Sequence, residues 1–208
     1  MMRRSLNAAA AALVGLALAS CSEQVETAVP AHPNLIIVRE FSAPLGVVTL
    51  DPSFGFSLQR GAASVPPTQR AGGVARAAAF TLADTIVQQL REQGYDAVQS
   101  NQGGAERGGR ALVVTGAFRG IDEGYRRHGG AEASNVAVEA EIDYQAAGGQ
   151  PQRLMAFPLD SRQVRGEGAA GASARREPVN DAAARVGAAI ARSVIEVARR
   201  NNWPGGPH

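Results

Sequence analysis

The 208-residue chain has no lysine, a single cysteine at Cys21, one tryptophan and only 5% aromatic residues. Each shortage excludes something. One cysteine cannot close a disulfide within the chain. His32, His128 and His208 are far apart in sequence, so no clustered His/Cys metal site is expected. With so few aromatics, the core must be built from Val, Leu, Ile and Ala. All 21 basic residues are arginine, and two of them, Arg3 and Arg4, precede Cys21, while all 19 acidic residues follow it. From Cys21 onward 19 arginines therefore face 19 carboxylates, and the arginines are scattered. A nucleic-acid binder shows a basic stripe, and none is present. The chain also has no apolar run of the roughly 20 residues that a membrane-spanning helix needs.

A shorter apolar run is present. Met1 to Asn7 carries Arg3 and Arg4, and Ala8 to Ser20 is unbroken apolar and small residues. A positive n-region, a short h-region and small residues at the end are the pattern of a secretory signal, here over residues 1–20. The run closes Leu18-Ala19-Ser20-Cys21, which resembles the lipobox of bacterial exported lipoproteins. That resemblance implies cleavage between Ser20 and Cys21 and lipidation of the Cys21 sulfur. The physics suits it, because one acyl chain anchors only marginally and stable attachment takes more than one. In similar lipoproteins of two-membrane cells an Asp after the cysteine retains the protein at the inner membrane. Ser22 stands there instead, which implies the outer membrane, periplasmic face.

Residues 21–33, polar and with two prolines, read as a lipidated tether. Residues 34–200 read as one domain and residues 201–208 as a disordered tail. "NLIIVREF" (Asn34 to Phe41) suits a buried strand. Ala43 to Gly73 reads as a long loop rich in Gly, Pro and Ser, with a short edge strand near Val47 to Leu50. From Val74 to Gln93, Val74, Ala78, Leu82, Ile86 and Leu90 recur every four residues, the stripe of an amphipathic helix, and Gly94 supplies its C-terminal cap. Tyr95 to Gln99, Arg110 to Asp122 and Gln152 to Arg165 read as strands. Asn135 to Gln145 alternates, with Val136, Val138, Ala140, Ile142 and Tyr144 on one face and Glu139, Glu141 and Asp143 on the other. Asn180 to Arg200 is the second helix, with Asn180 as its cap and Asp181 near its positive end. The expected fold is α+β: a mixed sheet of four to five strands with two helices packed on one face.

Few constellations carry chemistry. "GEGAAG" (Gly166 to Gly171) matches a dinucleotide fingerprint in letters but lacks the strand-to-helix turn the chemistry needs. Glu139, Glu141 and Asp143 read as a solvated strand face, with Arg119 on the neighbouring strand within pairing reach. "GIDEGYRRHGG" gathers Asp122, Glu123, Tyr125, Arg126, Arg127 and His128 in one hairpin. It holds no nucleophile, so it reads as a recognition loop, in which tyrosine and arginine are common anchors; the alternatives are a solvated hairpin and an envelope enzyme with Asp122 as base and His128 as its partner. Phe54, Phe56 and Leu58 alternate in "SFGFSLQ" and leave self-assembly into a secretion or pore-type oligomer as the rival reading. The loops Glu123 to Ala133 and Ala43 to Gly73 are the expected contact surfaces.

The segment "ALVVTGAFRGIDEGYRRHGGAEASNVAVEAEIDY" resembles bacterial lipoproteins classed as a domain of unknown function, the DUF4410 type. Their LVV-x-G strand, I-D-x-G turn and following V-x-V strand match over roughly residues 34–200. The resemblance implies no catalytic residues and no cofactor. The combined expectation is a non-enzymatic, lipid-anchored accessory module for an envelope complex. Its partners would be the membrane through the N-terminal lipid, and another envelope protein, with no nucleic acid.

Overall fold

The structure, a computed structural model, describes residues 30–52, 65–101, 109–127, 130–164, 178–203 and 205, and for residues 126, 127 and 130–132 the backbone alone. Apolar patterning sets the elements in chain order: β1 (Leu35–Val38), β2 (Val48–Thr49), α1 (Pro67–Glu92), β3 (Ala97–Gln99), β4 (Ala111–Asp122), β5 (Tyr125–Arg127), β6 (Gly130–Glu132), β7 (Asn135–Gln145), β8 (Pro151–Asp160) and α2 (Val179–Arg200). The main sheet is mixed, in the order β3-β1-β4-β7-β8. β1 is parallel to both β3 and β4, while β4, β7 and β8 are antiparallel.

The α+β class is as expected, and the sheet has six strands rather than four or five. The sixth is β2, which runs parallel to the end of β4 through Val48↔Ile121 and Thr49↔Asp122. Since β1 pairs with the beginning of β4, one stretch of chain follows β4 along almost its whole length. A bridge from Ser42 to Ala117 joins the two parts.

Both helices lie on one sheet face. Their stripes meet the inward residues of the strands in one core that includes Leu82, Ile86, Leu90, Val186, Ile190, Leu112, Val114, Val138 and Ile142, each at most 1% exposed. The alternation in β7 is as the sequence predicts: Val136, Val138, Ala140, Ile142 and Tyr144 are buried. A small second cluster of Ile37, Ala111 and Val113 lies apart from that core.

Several boundaries differ from the sequence reading, each for a local reason. α1 begins at Pro67, seven residues before Val74, because a proline at the first helical position has φ preset and needs no hydrogen-bond acceptor. Among the described residues of the expected loop Ala43 to Gly73, β2 and the first turns of α1 replace part of it, and residues 53–64 lie outside the described residues. α2 begins at Val179 after Pro178, so Asn180 lies inside the helix and makes no cap, while Asp181 is in the first turn as expected. β8 stops at Asp160, five residues early, because Asp160 Oδ1 accepts the Arg162 N–H at 2.8 Å and turns the chain. At the other end of α1, Gly94 has φ +80 and closes the helix as predicted, with Tyr95 N–H donating to Leu90 O.

At Gly187 α2 lies close against the backbone of α1. A Cβ there would lie 2.8 Å from the Leu82 carbonyl oxygen and 3.1 Å from Thr85 Cβ. Alanine would gain about 1 kcal/mol of helix propensity. Forcing the helices apart costs about 1–3 kcal/mol, and the atom met is backbone, which cannot swing aside. Gly187→Ala is therefore expected to lower the melting temperature; an unchanged or higher melting temperature would mean that the helices separate freely.

Residues 201–203, the described start of the expected tail, pack against the domain. Trp203 is 3% exposed, stacks on Tyr144 at a ring separation of 5.7 Å, and its indole N–H donates to Pro30 O at 2.9 Å. Asn202, at φ +55, reverses the chain after α2, and Trp203 N–H donates to Ala198 O at 2.8 Å. Burial pushes the Tyr95 phenol up, against the opposing pull of the Arg199 guanidinium, and its hydroxyl lies 3.4 Å from Trp203 O.

Candidate functional site

The two ends of the domain differ. At one end lie Pro30, Trp203, the start of β1 and β4 and the C-termini of both helices. At the other lie the end of β4, the β5–β6 ribbon and both helix N-termini. Arg185 of α2 reaches Ser161 O there, and Gly73 and Val74 face Pro178 and Val179 across a cavity that also meets Glu123. α1 has 26 residues, so the ends are separated by about 39 Å along it.

The sequence places its recognition residues at the second end, and there the structure divides them. Asp122 Oδ1 accepts Gly124 N–H at 2.8 Å, and Gly124 has φ +73, so "DEG" is a tight turn that only a glycine fits easily. Glu123 is 2% exposed. Its Oε2 accepts Asp51 N–H at 3.1 Å, its N–H donates to Thr49 O, and its C=O accepts the Ser134 hydroxyl at 2.9 Å. It is a fastener joining the exit of β2 to the base of the hairpin, so it does not belong to an exposed contact surface. Asp122 likewise belongs to the turn. Tyr125, Arg126 and Arg127 are in β5, paired with β6 through Tyr125↔Glu132, and Tyr125 is half-buried. His128, Ser20, Cys21, "GEGAAG" and "SFGFSLQ" lie outside the described residues.

Removing the fastener has a definite cost. Glu123→Ala strips a buried N–H of its acceptor, which costs about 1–3 kcal/mol. The expected result is a lower unfolding midpoint together with faster amide exchange at Asp51. Exchange unchanged there would show that other groups hold the turn.

The carboxylate face has a partner that the sequence reading missed. Arg153 on β8 donates to Asp143 at 3.0 Å and pairs with Glu141. Its guanidinium is held above its usual range, first by the Asp143 hydrogen bond. Arg119, expected to pair across, is an exposed residue where the β4–β7 register shifts between Phe118 and Gly120. The alternation of β8 could have pointed to Arg153, since Asp143 and Arg153 are direct register partners. Exposed pairs of this kind contribute little stability and mark no chemistry. Among the described residues no group of three His, Cys, Asp or Glu could hold a metal ion.

What the sequence did not show is a trough across the N-terminal half of α1. Its two arms share Ala43, Gly72 and Ala75. One arm, about 540 Å³, is lined by Arg39, Glu40, Phe41, Ser42, Arg76 and Asn101 among others. The other, about 400 Å³, is apolar, with Pro44, Leu45, Val48, Leu50, Pro67 and Ala71. Both volumes lie within the range of small-molecule sites. Leu45 stands fully exposed at the lip, on a turn closed by Gly46 at φ +82. Glu40 and Asn101 hold each other: Asn101 Oδ1 accepts Glu40 N–H at 3.0 Å, and Asn101 Nδ2 donates to Glu40 Oε2 at 3.1 Å. The Arg39 Nε–H is buried and has no hydrogen-bond partner among the described residues. Such a donor costs about 1–3 kcal/mol while unsatisfied.

No family model matches the chain, and no curated protein matches it. Among solved structures it is similar to a neuraminyllactose-binding hemagglutinin homologue from Helicobacter pylori, at 12% identity over 83% of this chain and 91% of that one, with a TM-score of 0.40. A likeness of that size carries no weight for function. No described helix is long and apolar enough to cross a membrane.

Proposed function

We propose that the chain is an outer-membrane lipoprotein, acylated on Cys21, whose periplasmic domain is a non-catalytic binding module for an envelope complex. The observation that supports this reading most is the separation of the two ends. The chain enters the domain at Pro30, pinned under Trp203, and the β5–β6 ribbon and the trough lie at the far end. From Cys21 to Pro30 there are nine residue steps, at most about 32 Å when fully extended. That is shorter than the roughly 39 Å of α1, so an anchor at Cys21 would keep the domain from standing inverted on its hairpin end. Rigid-element recognition at one end and attachment at the other is the arrangement of a tethered binder.

The experiment is crosslinking in cells from a photoreactive residue at Tyr125, followed by mass spectrometry. Capture of one foreign envelope protein is the expected outcome. Self-crosslinks alone would replace the reading with an oligomer, and no crosslink would remove the hairpin from the binding surface.

A further inference from the structure

We infer that the trough on α1 is a site for a single-chain anionic amphiphile, with its carboxylate at Arg39 and Arg76 and its hydrocarbon chain in the arm between Leu45 and Ala71. The site is distinct from the hairpin contact and does not need a protein partner there. Two features of the trough match the two halves of such a ligand. The polar arm carries two guanidinium groups, Arg39 and Arg76, and one carboxylate, Glu40, which Asn101 already engages. Neither arginine has an ion pair among the described residues. The Arg39 Nε–H lacks an acceptor among the described residues, and Arg39 lines this arm. Guanidinium groups bind carboxylates through paired N–H donors.

The apolar arm opens from the same place. Ala43, Gly72 and Ala75 line the junction, and none of them has a side chain longer than a methyl group to block it. Pro44, Leu45, Val48, Leu50 and Pro67 line the arm beyond it with no charged group. A hydrocarbon chain can lie along this arm without meeting a charge. The fully exposed Leu45 at the lip gains cover when the arm is filled.

The test uses the full lipidated chain in phosphatidylcholine nanodiscs and a photoactivatable decanoate analogue, with the matching decanol analogue as the neutral probe. Labelling by the decanoate is expected on residues 43–50 and 67–76, at least about tenfold stronger than by the decanol. Arg76→Glu, at an exposed helix position, is expected to remove it by a similar factor with circular dichroism unchanged. Arg39→Gln gives a second reading at the orphaned donor. Equal labelling by both probes, labelling elsewhere, or labelling indifferent to Arg76→Glu would overturn the inference. So would capture of a peptide, but no fatty acid, from a photoreactive residue at Leu45. Failure here leaves the hairpin crosslinks at Tyr125 untouched, so the two readings fall separately.

Discussion

Gly116→Val is expected to destabilise the domain by more than about 4 kcal/mol. Gly116 sits on the core face of β4, opposite Ala140, in the row that also carries Leu112, Val114 and Phe118. Phe41, leaving β1, lays its ring where a side chain at 116 would stand. A Cβ added there would overlap both that ring and the Glu139 carbonyl of β7. Phe41 is 1% exposed and meets Phe118 edge-to-face at 6.3 Å, so it has nowhere to go. The Glu139 carbonyl is in the backbone of a central strand, and Ser42 N–H donates to Gly116 O at 3.0 Å from the other side. Overpacking usually costs about 1–3 kcal/mol, but a clash with two fixed groups belongs to the rare class above about 4 kcal/mol. That is a large part of the roughly 5–15 kcal/mol available to a domain. Urea unfolding of the full chain reads the effect. In the milder Gly116→Ala background, Phe41→Ala is expected to recover part of the loss, a coupling that only direct contact produces. A midpoint shift within about 0.5 kcal/mol for valine would mean that β1 and β4 do not meet as described.

Trp203→Ala is the second large effect. The indole stacks on Tyr144, is 3% exposed and holds Pro30 by its N–H. Truncating a buried tryptophan costs about 3–5 kcal/mol. Trp203→Phe separates the two roles: the stack stays, and the hydrogen bond to Pro30, worth about 1 kcal/mol, is lost. The alanine variant is expected to melt well below the parent. The phenylalanine variant is expected to melt close to it, yet to be cut by protease near residues 30–34 much faster. Equal proteolysis in the parent and the phenylalanine variant would show that the tether is held by other contacts, among them the burial of Pro33.

The elements whose pattern is local were legible in the sequence. The four-residue stripe of α1, the alternation of β7 and the Gly94 cap each follow from backbone geometry within a few residues. The core set from Leu82 to Leu90 follows too, because a helix period fixes a buried face without knowledge of its partner. What depends on distant partners was not legible. Trp203 follows two asparagines and precedes a proline and two glycines, so nothing nearby marks it as core; its place depends on Tyr144 and Pro30. Glu123 reads as an exposed turn carboxylate until Asp51 and Ser134 are brought to it. The glycine of "LVVTG" reads as a weak spot in a strand until Phe41 fills the space above it. The trough needs both α1 and residues 39–50, which the sequence separates by the segment it presents as one long loop.

The separation of anchor and recognition ends is tested most directly by depth measurement. If Cys21, the sole cysteine, is acylated as proposed, an introduced thiol is the one site for a fluorophore. Leu45→Cys and Asn202→Cys, both at exposed positions, are labelled in the full lipidated chain and placed in nanodiscs containing nitroxide-headgroup lipid. Strong quenching at 202 with little at 45 is the predicted result. Equal quenching at the two sites, or stronger quenching at 45, would contradict it and place the trough against the membrane.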